Sequence, residues 1–215
     1  MKEVFGVTPK TFINTELLYS NEIGADVAEM GFNLMVTEGA KHVLGWKSPN
    51  YMYANNINPK LRLLLRNYRL SDDISLRFAS DCLTTDNYVE RLNAIKDGEV
   101  VNVCVDYDNF GYKYDDSTGI LNFMRYLPEA IFNNTDFEFA KPIEMLDKLQ
   151  TMSMFDAPIP LSCMDEERDL SAWMGNVLQD DALETLYSFA NKVKRNKEED
   201  VIRDWNALQD ANHFY

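Results

Sequence analysis

The chain has 215 residues, enough to bury a sizeable core in one main domain. Its 21 Lys and Arg against 35 Asp and Glu give a net charge of −14, which argues against nucleic acid and anionic membranes as partners. Three widely spread cysteines and two histidines lack the spacing of a metal site or a disulfide framework, so no metal and no cofactor is expected. The start is unlike a signal peptide and no apolar run is long enough to span a membrane, which together predict a cytoplasmic protein.

The first elements predict a strand, a helix and a second strand. Residues 12–14 read as a short strand. Ser20 is a good N-cap for a helix over residues 21–30, and Gly31 is a typical stop signal. Residues 34–38 begin with three apolar residues, typical of a buried strand, and end in a carboxylate. This order fits one βαβ unit, whose two strands run parallel.

An aromatic segment without a helical or strand period, residues 41–58, follows this strand. Trp46, Tyr51 and Tyr53 could stack on sugar faces or pack beneath the loop. For the two tyrosines the sequence favours neither interpretation.

The next apolar run, residues 61–65, leads to a helix for which Ser71 is the predicted N-cap. Asp72 and Asp73 then lie in its first turn, where capping alone explains them. Arg69 could hold a carboxylate, although a surface ion pair is the commoner fate of such an arginine.

A second buried strand is predicted over residues 100–106, after a helix over residues 86–95. Its β-branched run also ends in a carboxylate, Asp106, and the polar and aromatic loop 107–111 follows. Since the carboxyl ends of parallel strands meet at one edge, Glu38 and Asp106 could face each other across a single mouth.

Two facing carboxylates fit more than one chemistry. Such a pair provides the catalytic groups for glycoside hydrolysis. Together with Asp108 they could instead bind a divalent metal ion, or they could be unrelated turn residues. Their spacing of 68 positions in sequence does not choose among these interpretations.

The rest of the chain turns from mixed to helical. A helix with a kink or restart at Pro128 and a short strand over residues 137–140 are predicted. Residues 152–164 are predicted to be loop, and helices follow to the end. The predicted organisation is an α/β region, 1–151, and a helical region, 152–215.

Three stretches stand in order along the chain: VTEGAKHVLGWKSPNY at 36–51, VDYDNFG at 105–111 and DLSAWMGN at 169–176. Together they resemble glycoside hydrolase family 57, in its α-amylase branch. The resemblance covers essentially the whole chain.

It implies a partial parallel (β/α) barrel followed by a helical subdomain that packs beside the active-site cleft. The implied reaction is hydrolysis or transfer of α-1,4-glucan or maltooligosaccharide with retention, Glu38 being the nucleophile and Asp106 the general acid and base. The candidate substrate-binding residues are Trp46, His42, Tyr107, Phe110, Trp173 and Asp169. For His42, an ordinary place on a helix surface or in the core is the plainer explanation.

The opening barrel strands of the family have no counterpart in the sequence, which implies the C-terminal part of a catalytic domain, cut at both ends. This predicts an open sheet edge near residues 12–14 that self-associates or binds a complementing segment. It also predicts weak or absent amylase activity for the chain alone. A non-catalytic α-glucan-binding or regulatory relative is the alternative.

Overall fold

A computed structural model describes residues 2–215. The strands are β1 Thr11–Ile13, β2 Leu34–Glu38, β3 Met52–Asn55, β4 Arg62–Arg66 and β5 Thr151–Phe155. The helices are α1 Lys2–Phe5, α2 Asn21–Glu29, α3 Lys41–Leu44, α4 Tyr68–Ser75, α5 Thr85–Asn93, α6 Ile120–Asn134, α7 Met145–Lys148, α8 Ser171–Met174, α9 Val177–Ser188, α10 Ala190–Arg195 and α11 Glu199–Leu208. None of these helices is both long enough and apolar enough to cross a membrane.

The five strands form one sheet in the order β1-β2-β4-β3-β5. Strands β1, β2 and β4 are parallel to one another, whereas β3 runs antiparallel to β4 and β5 runs parallel to β3. The register pairs Glu38 on β2 with Arg66 on β4, at the carboxyl end of both strands. The sheet therefore sets these two oppositely charged residues side by side.

The predicted βαβ unit is confirmed by β1, α2 and β2. The Ser20 side chain accepts a hydrogen bond from the Ile23 amide at 3.3 Å, which caps α2 as expected. Gly31 has a φ of +92°, a backbone conformation that glycine adopts without a steric cost. All five residues of β2 are buried, which explains its continuous apolar run.

Two apolar clusters make up the core. The first lies against the sheet and contains Tyr19, Val27, Met35, Leu44, Tyr53, Leu61, Leu63, Leu65, Phe155, Ala157 and Leu161. The second joins α4, α5 and α6 and contains Leu70, Ile74, Phe78, Leu83, Tyr88, Leu92, Tyr114, Ile120, Phe123 and Leu127. The aromatic rings of Phe78, Tyr88 and Phe123 meet edge to face within it, at centroid distances of 5.3 and 5.6 Å.

Residues 100–106 do not form the predicted strand. A single parallel bridge joins Asn102 to Arg66. The Asn102 side chain donates to the Leu65 carbonyl at 3.1 Å, and the Cys104 amide donates to the Ser71 hydroxyl at 3.1 Å. These side chains thus occupy backbone groups that would otherwise form the hydrogen bonds of a continuous β-ladder. The segment therefore lies beside β4 without extending the sheet.

Two strands were missed because their sequences do not alternate clearly. Strand β3 lies inside the segment predicted to be an aromatic loop, and β5 lies where residues 152–164 were predicted to be loop. Strand β3 pairs with both β4 and β5, and β5 pairs with β3, so each gains its conformation from these pairings. Conversely, residues 137–140 were predicted to be a strand and have no regular structure. Pro128 lies inside α6, which runs on without a restart.

The chain divides into two compact units, residues 1–161 and 162–215. In the second unit, the Trp205 indole donates to the Leu186 carbonyl at 3.3 Å and its ring meets Tyr187 edge to face. The functional division into residues 1–151 and 152–215 stays a prediction.

Among the strands that the structure describes, β1 lies at the edge of the sheet and pairs with β2 alone. Its last residue, Ile13, is 62% exposed. If this edge mediates self-association, we expect Ile13→Lys to weaken it by about tenfold or more, because a charge on an edge strand opposes strand addition. Sedimentation over a range of concentrations measures the effect, with the similarly exposed Ile57→Lys as control. Equal behaviour of both variants would contradict this prediction.

Candidate active site

Glu38 ends β2 and its side chain is 0% exposed. One carboxylate oxygen, Oε2, lies 2.8 Å from Arg66 Nη1, and the other, Oε1, accepts a hydrogen bond from the Gly39 amide at 2.7 Å. A side chain at Gly39 would collide with the Arg66 carbonyl, so glycine lets the backbone pass closely over β4. A fully buried carboxylate held by an arginine is an unusual end for a strand, since such charges are costly to bury.

Arg66 is the centre of a buried ionic network. Its Nη2 lies 2.8 Å from Asp72 Oδ1, and its Nε donates to the Cys104 carbonyl at 2.9 Å. It therefore connects β2, α4 and the segment that leads to Asp106. The planar guanidinium suits this role, because it presents its donors in fixed directions.

Asp72 and Asp73 are not explained by capping, contrary to the prediction. The helix α4 begins one turn earlier, where the Asn67 side chain accepts from the Leu70 amide at 3.1 Å. Both carboxylates are buried: Asp72 binds Arg66, and Asp73 binds Arg77 and Arg91. They hold the helices against the strand-end network.

Asp106 is exposed and precedes a short 3-10 turn over Tyr107–Asn109. Its carbonyl accepts bonds from the Asn109 amide at 3.1 Å and from the Asn109 side chain at 3.0 Å. The backbone is therefore fixed on both sides of Asp106, by Asn109 after it and by the Arg66–Cys104 bond two residues before it. Asp106 therefore follows two residues after Cys104, whose carbonyl accepts from Arg66, on the segment beside β4.

The predicted aromatic residues differ in their surroundings. Trp46 is 90% exposed and Tyr107 is 88% exposed, so both rings are accessible for stacking. His42 is exposed on α3, and Phe110 is half-buried against the second cluster. Tyr53 is buried, and burial raises its pKa to about 12.

Tyr53 and Tyr51 are packing residues. The Tyr53 hydroxyl donates to the Ser48 carbonyl at 2.6 Å, and Tyr51 packs against the first cluster. The interpretation of these two rings as an anchor beneath the loop is therefore the better supported one.

Trp173 and Asp169 belong to the second compact unit. Trp173 is half-buried on α8, and Asp169 Oδ1 accepts a hydrogen bond from the Ser171 amide at 2.7 Å, at the start of that helix. Their predicted role at the sugar site stays a prediction.

Within residues 2–215, no group of three or more His, Cys, Asp or Glu side chains could hold a metal ion. Glu38, Asp106 and Asp108 accordingly do not converge as the metal-dependent alternative requires.

Sequence reasoning missed Arg66 and selected Arg69 instead. Arg69 is exposed and its Nε donates to the Tyr68 hydroxyl at 3.3 Å. The available signal was position: Arg66 follows three leucines and ends a buried strand, as Glu38 does, so its charge needs a partner there.

The thiol of Cys104 offers a test of this local packing. Burial raises its pKa to about 11, against the lowering effect of Arg66, so at pH 8 we expect little thiolate. Iodoacetamide should modify the exposed Cys82 first, and modification of Cys104 should become appreciable only as the pH approaches 11. Peptide mapping by mass spectrometry measures both sites, and equally fast modification at pH 8 would contradict the prediction.

Comparisons with known proteins show which family the chain resembles in sequence. The sequence profile described as "Glycosyl hydrolase family 57" matches residues 1–160. A Methanocaldococcus jannaschii protein named "Putative alpha-amylase" is 38% identical over 229 residues, which cover 100% of this chain and 48% of that protein. The chain thus spans about half the length of this curated relative.

A solved structure gives the likeness in fold. The crystal structure of 4-alpha-glucanotransferase from Thermococcus litoralis matches 87% of this chain and 29% of that chain, with a TM-score of 0.58 and 18% identity. The predicted fold class, α/β with a partial barrel followed by helices, is confirmed, apart from the antiparallel β3.

Proposed function

The chain belongs to glycosyl hydrolase family 57, and on this premise we propose that it cleaves or transfers α-1,4-glucan with retention of configuration. The substrate class is starch, glycogen or the maltooligosaccharides derived from them. Glu38 is the proposed nucleophile, and Asp106 is the proposed general acid and base.

Retaining cleavage takes two displacements at the anomeric carbon. In the first, a Glu38 oxygen bonds to that carbon while the glycosidic C–O bond breaks, and Asp106 gives its proton to the departing oxygen. In the second, Asp106 takes a proton from water, whose oxygen attacks the anomeric carbon and releases the Glu38 carboxylate. When a sugar hydroxyl replaces water, the same step transfers the glucan.

The observation that carries this proposal is the pairing of Glu38 with Arg66 at the ends of two adjacent parallel strands. A nucleophilic carboxylate must be ionised, and a guanidinium at 2.8 Å favours the ionised form. Strand ends are also where α/β sheets carry their chemistry. Asp106 follows on the neighbouring segment, where its exposure suits exchange of protons with water and substrate.

Trapping the covalent intermediate tests the proposal directly. A 5-fluoro-α-glucosyl fluoride has a leaving group that needs little protonation, and its ring fluorine slows the second displacement. We expect intact-mass analysis to show one added fluoroglucosyl group, and peptide mapping to place it on Glu38. The variant Asp108→Asn serves as control and should still be labelled. A label on another residue, or none, would refute the assignment of Glu38.

A non-catalytic α-glucan-binding protein is the second candidate, and one observation favours it. Glu38 is fully buried with both oxygens in hydrogen bonds, so a substrate reaches it only after local opening. Binding of maltooligosaccharides without any label on Glu38 would support this function.

A further inference from the structure

A cavity of about 720 Å³ in the first unit lies outside the proposed catalytic pair. It is lined by residues of α3 and the loop after it, by α4, and by the end of α5, whereas neither Glu38 nor Asp106 lines it. This volume lies in the range of small-molecule sites.

The charge of this cavity is opposite to that of the chain. It is lined by six of the 21 Lys and Arg side chains but by only two of the 35 Asp and Glu side chains. Such a concentration of cations in a protein of net charge −14 raises the local affinity for a small anion, while the rest of the surface repels large polyanions.

The six cations differ in whether they form ion pairs within the protein. Arg77 and Arg91 both bind Asp73, so two positive charges share one carboxylate within the wall. The remaining cations include Lys41, Arg69 and Lys96, which form no ion pair with any residue of 2–215 that the structure describes. Their charges are available to a ligand.

The floor of the cavity is ordered and its rim is aromatic. Asn67 donates to Asn50 Oδ1 at 3.0 Å, and Asn50 donates to the Asp97 carbonyl at 3.4 Å; both asparagines are buried. Trp46 also lines the cavity and exposes 90% of its surface. An exposed indole among cationic lining residues suits a ligand that is part sugar face and part anion.

We propose that this cavity binds a phosphorylated sugar, whose phosphate is held by Lys41, Arg69 and Lys96 and whose ring packs on Trp46. A phosphate monoester carries nearly two charges and three acceptor oxygens, which several cations bind better than one does. The sugar half of this inference rests on the proposed function, whereas the phosphate half rests on the charge of the cavity. The ester belongs either to a free hexose phosphate or to a phosphorylated glucan chain.

Calorimetric titration of the intact chain tests the proposal. The probes are glucose 6-phosphate, a phosphorylated dextrin, maltose and inorganic phosphate. We expect both phosphorylated sugars to bind at least about tenfold tighter than maltose and inorganic phosphate, and their affinity to fall with salt. Tighter binding of the dextrin assigns the ester to a glucan chain, and tighter binding of glucose 6-phosphate assigns it to a free sugar; both outcomes support the site.

Variants locate the binding. Arg69→Gln and Lys96→Gln should each weaken the binding of phosphorylated sugars by about tenfold, because each removes a charge-assisted contact. Lys60→Gln is the control, since Lys60 is exposed and does not line the cavity, and it should leave the affinity unchanged. Circular dichroism confirms that all three variants remain folded.

Three results would overturn the proposal: no binding of either phosphorylated sugar, equal weakening by Lys60→Gln, or equal affinity for inorganic phosphate and the phosphorylated sugars. These readouts need no turnover. A negative titration would therefore not affect the conclusion from the labelling of Glu38. Absence of that label would likewise not affect the conclusion from the titration.

Discussion

Replacing Glu38 with Gln is expected to lower the release of fluoride from α-maltosyl fluoride by at least about a thousandfold. The amide keeps the shape of the side chain but cannot form the ester to the anomeric carbon. The affinity for maltooligosaccharides should change little, because Trp46 and Tyr107, the exposed rings predicted to bind sugar, are unchanged. A fluoride electrode measures the rate, and calorimetry measures the binding.

Asp106→Asn should behave differently from Glu38→Gln, since the proposed roles differ: Asp106 transfers protons, whereas Glu38 forms the bond to the anomeric carbon. On glucan, whose leaving group needs a proton, we expect a loss of about 10²–10⁴-fold. With maltosyl fluoride the first displacement survives and the second slows, so azide should accelerate turnover and yield an α-glycosyl azide. The matched control Asp108→Asn should keep the parent rate.

Two other outcomes would each support a different function. Unchanged turnover in Glu38→Gln with unchanged binding would support the non-catalytic function. Loss of activity in Asp108→Asn together with Asp106→Asn and a requirement for a divalent cation would support metal-dependent hydrolysis instead.

Local signals predicted the parts of the fold that local interactions determine. Ser20 marks the start of α2 and Gly31 follows its end. Both could be predicted because capping and left-handed backbone conformation are properties of single residues. Strand β2 was predicted through its end at Glu38, since burial on both faces leaves a continuous apolar run. These features could be read without knowing any neighbour.

Pairing over long sequence distance was not predictable in this way. Strand β5 pairs with β3 about a hundred positions away in sequence, and its Met and Ser residues carry no strong strand preference. Residues 100–106 show the reverse case, because their β-branched residues favour a strand that the side-chain bonds of Asn102 and Ser71 prevent.

The same limit applies to the candidate site. Glu38 and Asp106 stood out because each carboxylate ends an apolar run. Arg66 did not stand out, because its importance depends on the register that sets it opposite Glu38 and on the turn of α4 that brings Asp72 to it. The three leucines before Arg66 indicate that it is buried, but no spacing within residues 61–73 identifies Glu38 and Asp72 as its partners.

Replacing Arg66 with Met is expected to lower the free energy of unfolding at pH 7 by about 3–5 kcal/mol. The change removes a cation that lies 2.8 Å from both Glu38 and Asp72, while those carboxylates stay buried. Urea denaturation followed by circular dichroism measures the loss. Arg69→Met, at an exposed arginine, is the matched control and should shift the free energy of unfolding by no more than about 0.5 kcal/mol.

Neutralising the carboxylates should recover part of this loss. We expect Arg66→Met/Glu38→Gln/Asp72→Asn to be more stable than Arg66→Met alone, because burying amides costs less than burying charges without their shared guanidinium. If the single variant matched Arg69→Met in stability, or if the triple variant were the least stable of all, the network would not be a buried ionic one, and the account of how Glu38 is kept ionised would fail with it.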